Sequence, residues 1–164
     1  MSELRYQFGD PRQSLILSAS TLDALDQYKQ TRWYHREAGG QLFARIEDLE
    51  ITVEFASSPK KQDKRGRSWF RPNRKDEQAE IDEMHARGLH YVGDWHSHPA
   101  DLPTPSARDI SSIGETVRKS EHDLDGFLLL ILGRAPGMNG LHLSIHDGEQ
   151  WTELRPSPAH PGSS

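Results

Sequence analysis

Residues 89–109 read LHYVGDWHSHPADLPTPSARD, and they decide how the middle of the chain folds. The first seven of them predict a strand that ends beside His96 and His98. Three prolines stiffen the loop that follows, because each fixes its own φ and restricts the residue before it. Ser106 then predicts a helix N-cap, ahead of apolar residues at helical spacing. A strand tip and a helix start are thereby joined by a short, rigid connection.

The rest of the chain predicts strands interleaved with about three helices. The predicted strands cover residues 14–17, 39–46, 51–55, 127–132, 141–145 and 151–154, and the other predicted helices begin near Ser20 and Asp76. This pattern is typical of an α/β or α+β domain around a mixed sheet. We expect residues 1–155 to form a single domain. We also expect the first dozen residues to be poorly ordered and residues 156–164 to be a disordered tail.

Composition excludes several classes of protein. The 164 residues carry 20 Lys and Arg against 25 Asp and Glu, a net charge of -5, which disfavours a dedicated nucleic-acid binder. The absence of cysteine excludes disulfides, thiolate zinc sites and a cysteine nucleophile. No apolar run is long enough for a membrane helix, and no signal peptide is visible. We expect a protein of the cytoplasm that has no nucleic-acid or membrane partner.

Three residues around this rigid loop have the chemistry of a metal site. The side chains of His96 and His98 project to the same side of an extended strand. Asp109 lies eleven residues beyond His98, in the first turn of the predicted helix. Two imidazoles and one carboxylate, with a fourth position left for water, form the usual open arrangement of catalytic zinc.

Each feature taken alone also has a simpler interpretation. A His-x-His pair is frequent by chance, and Ser106 with Asp109 makes an ordinary helix start. Trp95 is more typical of a core aromatic than of a cleft residue. The basic segment 60–67 is either a solvated connection or a surface for an acidic partner. The other seven histidines are interpreted as surface or satisfied polar residues.

Taken together, the motif resembles the JAMM signature of MPN-domain (JAB-like) metallopeptidases. His96-Ser97-His98-Pro99 is followed by Ser106 and Asp109 at the family's spacing. Upstream, residues 37–42 (EAGGQL) fit the family pattern Glu-x-x-Gly-x-Leu. The likeness spans about residues 15–155, and Ala44 departs where many members have glycine. It implies an MPN-like domain with a mixed, largely antiparallel sheet, about three flanking helices and a cytidine-deaminase-like layout.

The resemblance implies a zinc metallopeptidase with one Zn²⁺ per chain. His96, His98 and Asp109 would hold the metal ion. Glu37 would act as general base and then general acid, and Ser106 would donate a hydrogen bond to the oxyanion. In this family the bond cleaved is usually an isopeptide between the C-terminus of a ubiquitin-like protein and a lysine.

Within the family, the chain looks most like the small peptidases of bacterial type II CBASS antiphage operons. These are encoded beside E1-like and E2-like enzymes, and they remove a cGAS-like nucleotidyltransferase from targets to which its C-terminus was conjugated. The resemblance therefore implies a conjugated protein substrate in the bacterial cytoplasm.

Four alternatives stay open. Two are peptidases: the deubiquitinase-like member of a bacterial ubiquitin-like conjugation operon, and a peptidase that trims the tail of a sulfur-carrier protein. From other classes come a non-catalytic MPN binding module and a DNA-repair-associated relative, which the net charge disfavours.

Overall fold

The structure is a computed structural model that describes residues 2–60, 64–66, 70–71, 73–120 and 124–158. Residues 61–63 and 67 of the basic segment 60–67 lie outside the described residues, so the role of this segment stays a prediction. The described chain has an α+β architecture with three α-helices. This confirms the fold class that the pattern of strands and helices predicts.

The strands form one eight-stranded sheet and a two-stranded ribbon. They are β1 Leu4–Phe8, β2 Gln13–Leu17, β3 Gly39–Glu47, β4 Glu50–Ala56, β5 Lys64–Arg65, β6 Phe70–Arg71, β7 His90–Ser97, β8 Phe127–Leu132, β9 Leu141–His146 and β10 Trp151–Glu153. The large sheet has the order β1-β2-β4-β3-β7-β8-β9-β10. Its neighbours are antiparallel except for β2 beside β4 and β7 beside β8. The sheet is therefore mixed and largely antiparallel, as expected.

The helices begin at polar caps. They are α1 Ala19–Asp26, α2 Arg74–Ala86 and α3 Ala107–Lys119, with a short 3-10 turn at Gly137–Gly140. The first helix begins next to Ser20, as predicted, and its cap is Ser18, whose side chain accepts a hydrogen bond from the Thr21 N–H. Because β2 ends at Leu17, Ser18 is the first hydroxyl after the strand, and it caps the helix where the chain turns.

The sheet separates two apolar cores because side chains along each strand alternate between faces. On β8, Leu128 and Leu130 face the larger core, which is covered by Leu22 and Leu25 of α1. Phe127, Leu129 and Ile131 face the other core, where α3 contributes Ile113 and Val117. Helices α1 and α3 therefore cover opposite faces, and the start of α3 lies on the face to which His96 points.

The N-terminal segment is part of the sheet, so the expectation that the first dozen residues are poorly ordered is wrong. Strand β1 pairs antiparallel with β2, and Tyr6 is only 1% exposed. Leu4 and Tyr6 alternate with exposed polar residues at period two, which is the signal of a half-buried strand. At the other end, the Ser157 N–H donates to the Arg5 carbonyl, and residues 159–164 lie outside the described chain. The division between a domain at 1–155 and a tail at 156–164 stays a prediction.

Among the described residues, no helix has the length and apolar character needed to cross a lipid bilayer.

Strand β9 buries three polar side chains beneath α3. The Nε2 atoms of His142 and His146 lie 2.9 Å and 2.8 Å from Ser144 Oγ, so the hydroxyl bridges the two rings. The His146 ring also stacks on Trp151 at 5.6 Å. Burial, followed by the nearby His142, lowers the pKa of His146 to about 4. These two histidines are thus satisfied polar residues.

We predict that any side chain at position 93 destabilises the fold, because the backbone of β8 lies against Gly93. A Cβ at Gly93 would lie 2.0 Å from the Leu128 carbonyl oxygen on β8, so Gly93→Ala must separate two central strands. The expected cost is about 1–3 kcal/mol of unfolding free energy. Gly114→Ala on α3 is the matched control, since its Cβ would meet the end of the Arg118 side chain at 3.3 Å and the Gly148 carbonyl oxygen at an ordinary contact distance of 3.8 Å. Equal midpoints for the two variants in urea unfolding would contradict this account of Gly93.

We also predict that the buried His146 makes the fold sensitive to acid. Its pKa falls from 6.5 to about 4 on folding, so between these values the unfolded chain binds more protons and stability declines as pH falls. The slope reaches at most about 1.4 kcal/mol per pH unit for one histidine. The slope of unfolding free energy against pH, measured by urea unfolding from pH 4 to 7, should be shallower in His146→Gln than in wild type. The control variant His90→Gln, at an exposed position, should leave the slope as it is in wild type. The same slope in both variants would rule out this source of acid sensitivity.

Candidate metal centre and active site

The end of β7 brings two imidazoles together. The His98 N–H donates to the Leu132 carbonyl at 2.8 Å, so the chain remains paired with β8 just past the last residue of β7. The Nε2 atoms of His96 and His98 are 3.0 Å apart, and their rings are 4.7 Å apart. Both rings therefore present the same nitrogen to one point, as the period-two spacing predicts.

The first turn of α3 delivers a carboxylate to the same point. Asp109 Oδ1 lies 3.3 Å from His96 Nε2, and Asp109 Oδ2 lies 3.4 Å from His98 Nε2. Burial disfavours the charged carboxylate, but hydrogen bonds from His96 and His98 outweigh it and hold the pKa of Asp109 well below its ordinary value. A residue eleven positions beyond His98 is thus folded back over the strand tip.

The helix cap orients this carboxylate. Ser106 and Asp109 form a capping box, in which the Ser106 N–H donates to Asp109 Oδ2 at 2.8 Å and the Asp109 N–H donates to Ser106 Oγ at 3.1 Å. The simple interpretation of Ser106 as an N-cap is therefore correct. Its hydroxyl proton is not used by the cap, so it can still donate toward the cleft that Ser106 lines. The oxyanion role of Ser106 stays a prediction.

Glu37 approaches from the segment just before β3. A Glu37 carboxylate oxygen and one ring nitrogen each of His96 and His98 lie within 4.8 Å of one another. The Glu37 side chain is buried, and this burial is the largest cause that raises its pKa to about 7. Asp109 adds to the rise, while His98 and Arg108 oppose it. A carboxylate with this pKa can both accept and release a proton near neutral pH.

The donor geometry fits a small divalent metal ion. Tetrahedral N and O ligands at 2.0–2.1 Å from an ion lie about 3.3 Å from one another. The three separations among His96 Nε2, His98 Nε2 and the Asp109 oxygens are 3.0 Å, 3.3 Å and 3.4 Å. These separations are close to those between metal ligands, so the three residues could hold one metal ion, with Glu37 beside the two histidines.

A cleft of about 470 Å³ opens onto these residues. Its walls come from the ends of β3 and β7, the start of α2 and the start of α3. Trp95 touches its inner end but is only 1% exposed, and its Nε1 donates to the Ser57 carbonyl at 2.9 Å. Trp95 is therefore chiefly a core aromatic, as its sequence context favours.

Sequence reasoning missed a charged wall of this cleft, formed by Arg74, Glu77 and Asp94. Arg74 pairs with Glu77 at 2.9 Å, and the Tyr91 hydroxyl donates to Asp94 at 2.5 Å. Burial and then Glu77 raise the pKa of Asp94 to about 7, against smaller opposing effects of Tyr91 and Arg74. Asp94 lies two residues before His96, so strand alternation could have placed it on the cleft side. No local pattern connects α2 to this wall.

Comparison with known proteins places the chain in a family. The profile of prokaryotic homologs of the JAB domain matches residues 20–144. A Pseudomonas aeruginosa protein named CD-NTase/cGAS isopeptidase is 32% identical over 142 residues, which cover 85% of this chain and 87% of the relative. A Vibrio cholerae protein of the same name is 30% identical over 138 residues, covering 82% and 86%.

A solution structure of a Desulfitobacterium hafniense protein has the same fold. It superposes with a TM-score of 0.59 at 19% identity, over 84% of this chain and 87% of that chain. The family profile and the isopeptidase relatives confirm the family that the sequence resembles. The chain belongs to the family of prokaryotic homologs of the JAB domain, and it is a hydrolytic metallopeptidase.

Proposed function

We propose that this chain is a zinc-dependent isopeptidase that cleaves the amide bond after the C-terminus of a conjugated protein. The observation that carries the proposal is the approach of one carboxylate to within 3.4 Å of two imidazole nitrogens, with a buried glutamate on the same side. A binding module that only docks partners has no need of a proton-accepting group beside a metal site.

We assign the metal-holding role to His96, His98 and Asp109. Two neutral imidazoles and a carboxylate suit Zn²⁺, and three protein ligands leave a coordination position open. When bound, the ion supplies Lewis acidity, which lowers the pKa of water and polarises the substrate carbonyl.

Glu37 and Ser106 perform the proton transfer and the charge stabilisation in this proposal. Glu37 takes a proton from the attacking water while the water oxygen forms a bond to the carbonyl carbon of the substrate. The Ser106 hydroxyl donates a hydrogen bond to the oxygen that becomes negative. As the carbon–nitrogen bond breaks, Glu37 passes the proton to the departing amine. The products are a free C-terminal carboxylate and an amine.

For the substrate, we propose a protein conjugated through its C-terminus. The two relatives are named for a CD-NTase/cGAS substrate, and they match over more than four fifths of this chain. We therefore favour a cGAS-like nucleotidyltransferase of a CBASS operon, attached by E1-like and E2-like enzymes in the bacterial cytoplasm. The net charge of -5 supports a role without nucleic-acid binding.

The direct test is cleavage of a defined conjugate. Zinc-loaded protein is incubated with a CBASS nucleotidyltransferase joined through its C-terminus to the ε-amine of a lysine in an acceptor protein. Parallel reactions use a ubiquitin-like conjugate and a sulfur-carrier protein with an extended tail. We expect the nucleotidyltransferase to be released with an intact C-terminus, seen by intact-protein mass spectrometry. Faster cleavage of either other substrate would replace the CBASS assignment, and no cleavage of any would refute the isopeptidase.

We predict that Glu37→Gln removes turnover but keeps the metal ion. The amide has the shape of the carboxylate but cannot accept the proton, so kcat should fall about 10²–10⁴-fold. Zinc content, measured by plasma mass spectrometry, should stay near one ion per chain. Hydrolysis within a few-fold of wild type would show that another group moves the proton.

We predict that Asp109→Asn weakens the metal site itself. The neutral amide lacks the negative charge that attracts the metal ion, so zinc affinity should fall at least about tenfold. Asp101→Asn, in the preceding loop, is the matched control, because its side chain is 76% exposed and pairs with Arg134. Competition titration against a zinc-binding dye gives both affinities. Equal affinities would remove Asp109 from the ligand set.

A further inference from the structure

A buried chain of hydrogen bonds lies on the opposite side of β7 from the metal site. Ser97 and Ala38 are fully buried and Gln30 is only 2% exposed. The Ala38 N–H donates to Ser97 Oγ at 2.9 Å, and the Ser97 hydroxyl donates to Gln30 Oε1 at 3.0 Å. Gln30 Nε2 in turn donates to the His35 carbonyl at 3.1 Å.

This chain connects the two segments that carry the site. Ser97 lies between His96 and His98, and Ala38 follows Glu37 directly. Ser97 also donates its own N–H to the Ala38 carbonyl at 2.9 Å, so it holds both backbone polar groups of Ala38. The position of the Glu37 backbone relative to the two histidines therefore depends on Ser97.

Gln30 fixes the direction of the Ser97 hydroxyl. A serine has one proton to donate, and here it goes to Gln30 Oε1, so a lone pair is left to face the Ala38 N–H. The Gln30 amide group also holds the carbonyl of His35, two residues before Glu37. The Gln30 side chain thus restrains both ends of the segment 35–38: it binds His35 directly and Ala38 through Ser97.

We propose that Gln30 is a positioning residue, which acts through Ser97 to hold the Glu37 carboxylate at the metal site. The inference rests on the proposed function, in which Glu37 moves the proton. Proton transfer requires the base within hydrogen-bond distance of the water, and a displacement of about 1 Å can cost on the order of 10²-fold in rate. Gln30 is not among the residues that line the cleft, so it acts on the rate rather than on substrate binding.

The test compares Gln30→Met, Ser97→Ala and their double variant in the zinc-loaded enzyme. Methionine keeps the length of the side chain while removing both hydrogen-bonding groups. For Gln30→Met we expect kcat to fall about tenfold or more, with KM and zinc content within about twofold of wild type. Because the two residues act in one chain, the double variant should be no slower than Ser97→Ala. If the fold-decreases in kcat of the two single variants multiply in the double variant, the residues act independently and the proposal is overturned.

Ser57→Ala is the matched control. Ser57 is also buried, and its Oγ accepts a hydrogen bond from the Gln41 N–H at 2.8 Å. Ser57→Ala therefore removes a buried bond from a backbone N–H to a serine hydroxyl, but at a residue of β3 that is not next to Glu37. Rates are normalised to the folded fraction measured by circular dichroism. Equal kcat values in Gln30→Met and Ser57→Ala would reduce the Gln30 chain to a purely structural role and overturn the proposal.

Hydrogen exchange supplies a measurement that is independent of activity. The Ala38 amide should exchange at least about tenfold faster in Gln30→Met and Ser97→Ala than in wild type, and at the wild-type rate in Ser57→Ala. Unchanged exchange at Ala38 overturns this inference alone. Failure of the wild-type enzyme to cleave any conjugate instead overturns the proposed function, so the two failures are distinct.

Discussion

The site depends on one electrostatic contact, between the Asp109 carboxylate and the imidazoles of His96 and His98. A charge at this depth is costly unless it is paired, and hydrogen bonds from both rings compensate the desolvation of Asp109. The contact exists because the parallel pairing of β7 with β8 extends to the His98 amide, which fixes the strand tip. The capping box then sets the rotation of the helix that carries Asp109.

Two carboxylates of the site have opposite environments. Asp109 accepts hydrogen bonds from two rings and a backbone N–H, which stabilise its charged form. Glu37 is also buried, but burial dominates there and raises its pKa to about 7. An anion that remains charged suits a metal ligand, whereas a carboxylate that titrates near neutral pH suits a proton carrier. The division of roles thus follows from burial and hydrogen bonding.

Much of this arrangement could be predicted from the sequence, because it is encoded locally. The His-x-His alternation and the Ser106 cap are short-range patterns, and the structure has both. The prolines predict a rigid loop, but its direction depends on packing of Ile113 and Val117 against β8, which no local pattern specifies. The likeness to the JAMM signature, not periodicity, is what led to Glu37.

Two of the features that sequence reasoning missed are long-range. The charged wall joins Asp94 of β7 to Arg74 and Glu77 of α2. The bond between Gln30 and Ser97 spans 67 residues, and a buried glutamine in a loop has no sequence signature. Strand β1 was missed for a different reason: its alternation was present, but its partner β2 is also short. For the charged wall and the Gln30–Ser97 bond, the missing information is which distant segments become neighbours.

The most direct test of the account is an anomalous diffraction map of zinc-loaded crystals, recorded at the zinc edge. The account predicts one peak about 2.0–2.1 Å from His96 Nε2, His98 Nε2 and an Asp109 oxygen. Glu37 should be near the ion but not bound to it. A peak at a different set of residues, or no peak in crystals of fully loaded protein, would contradict it.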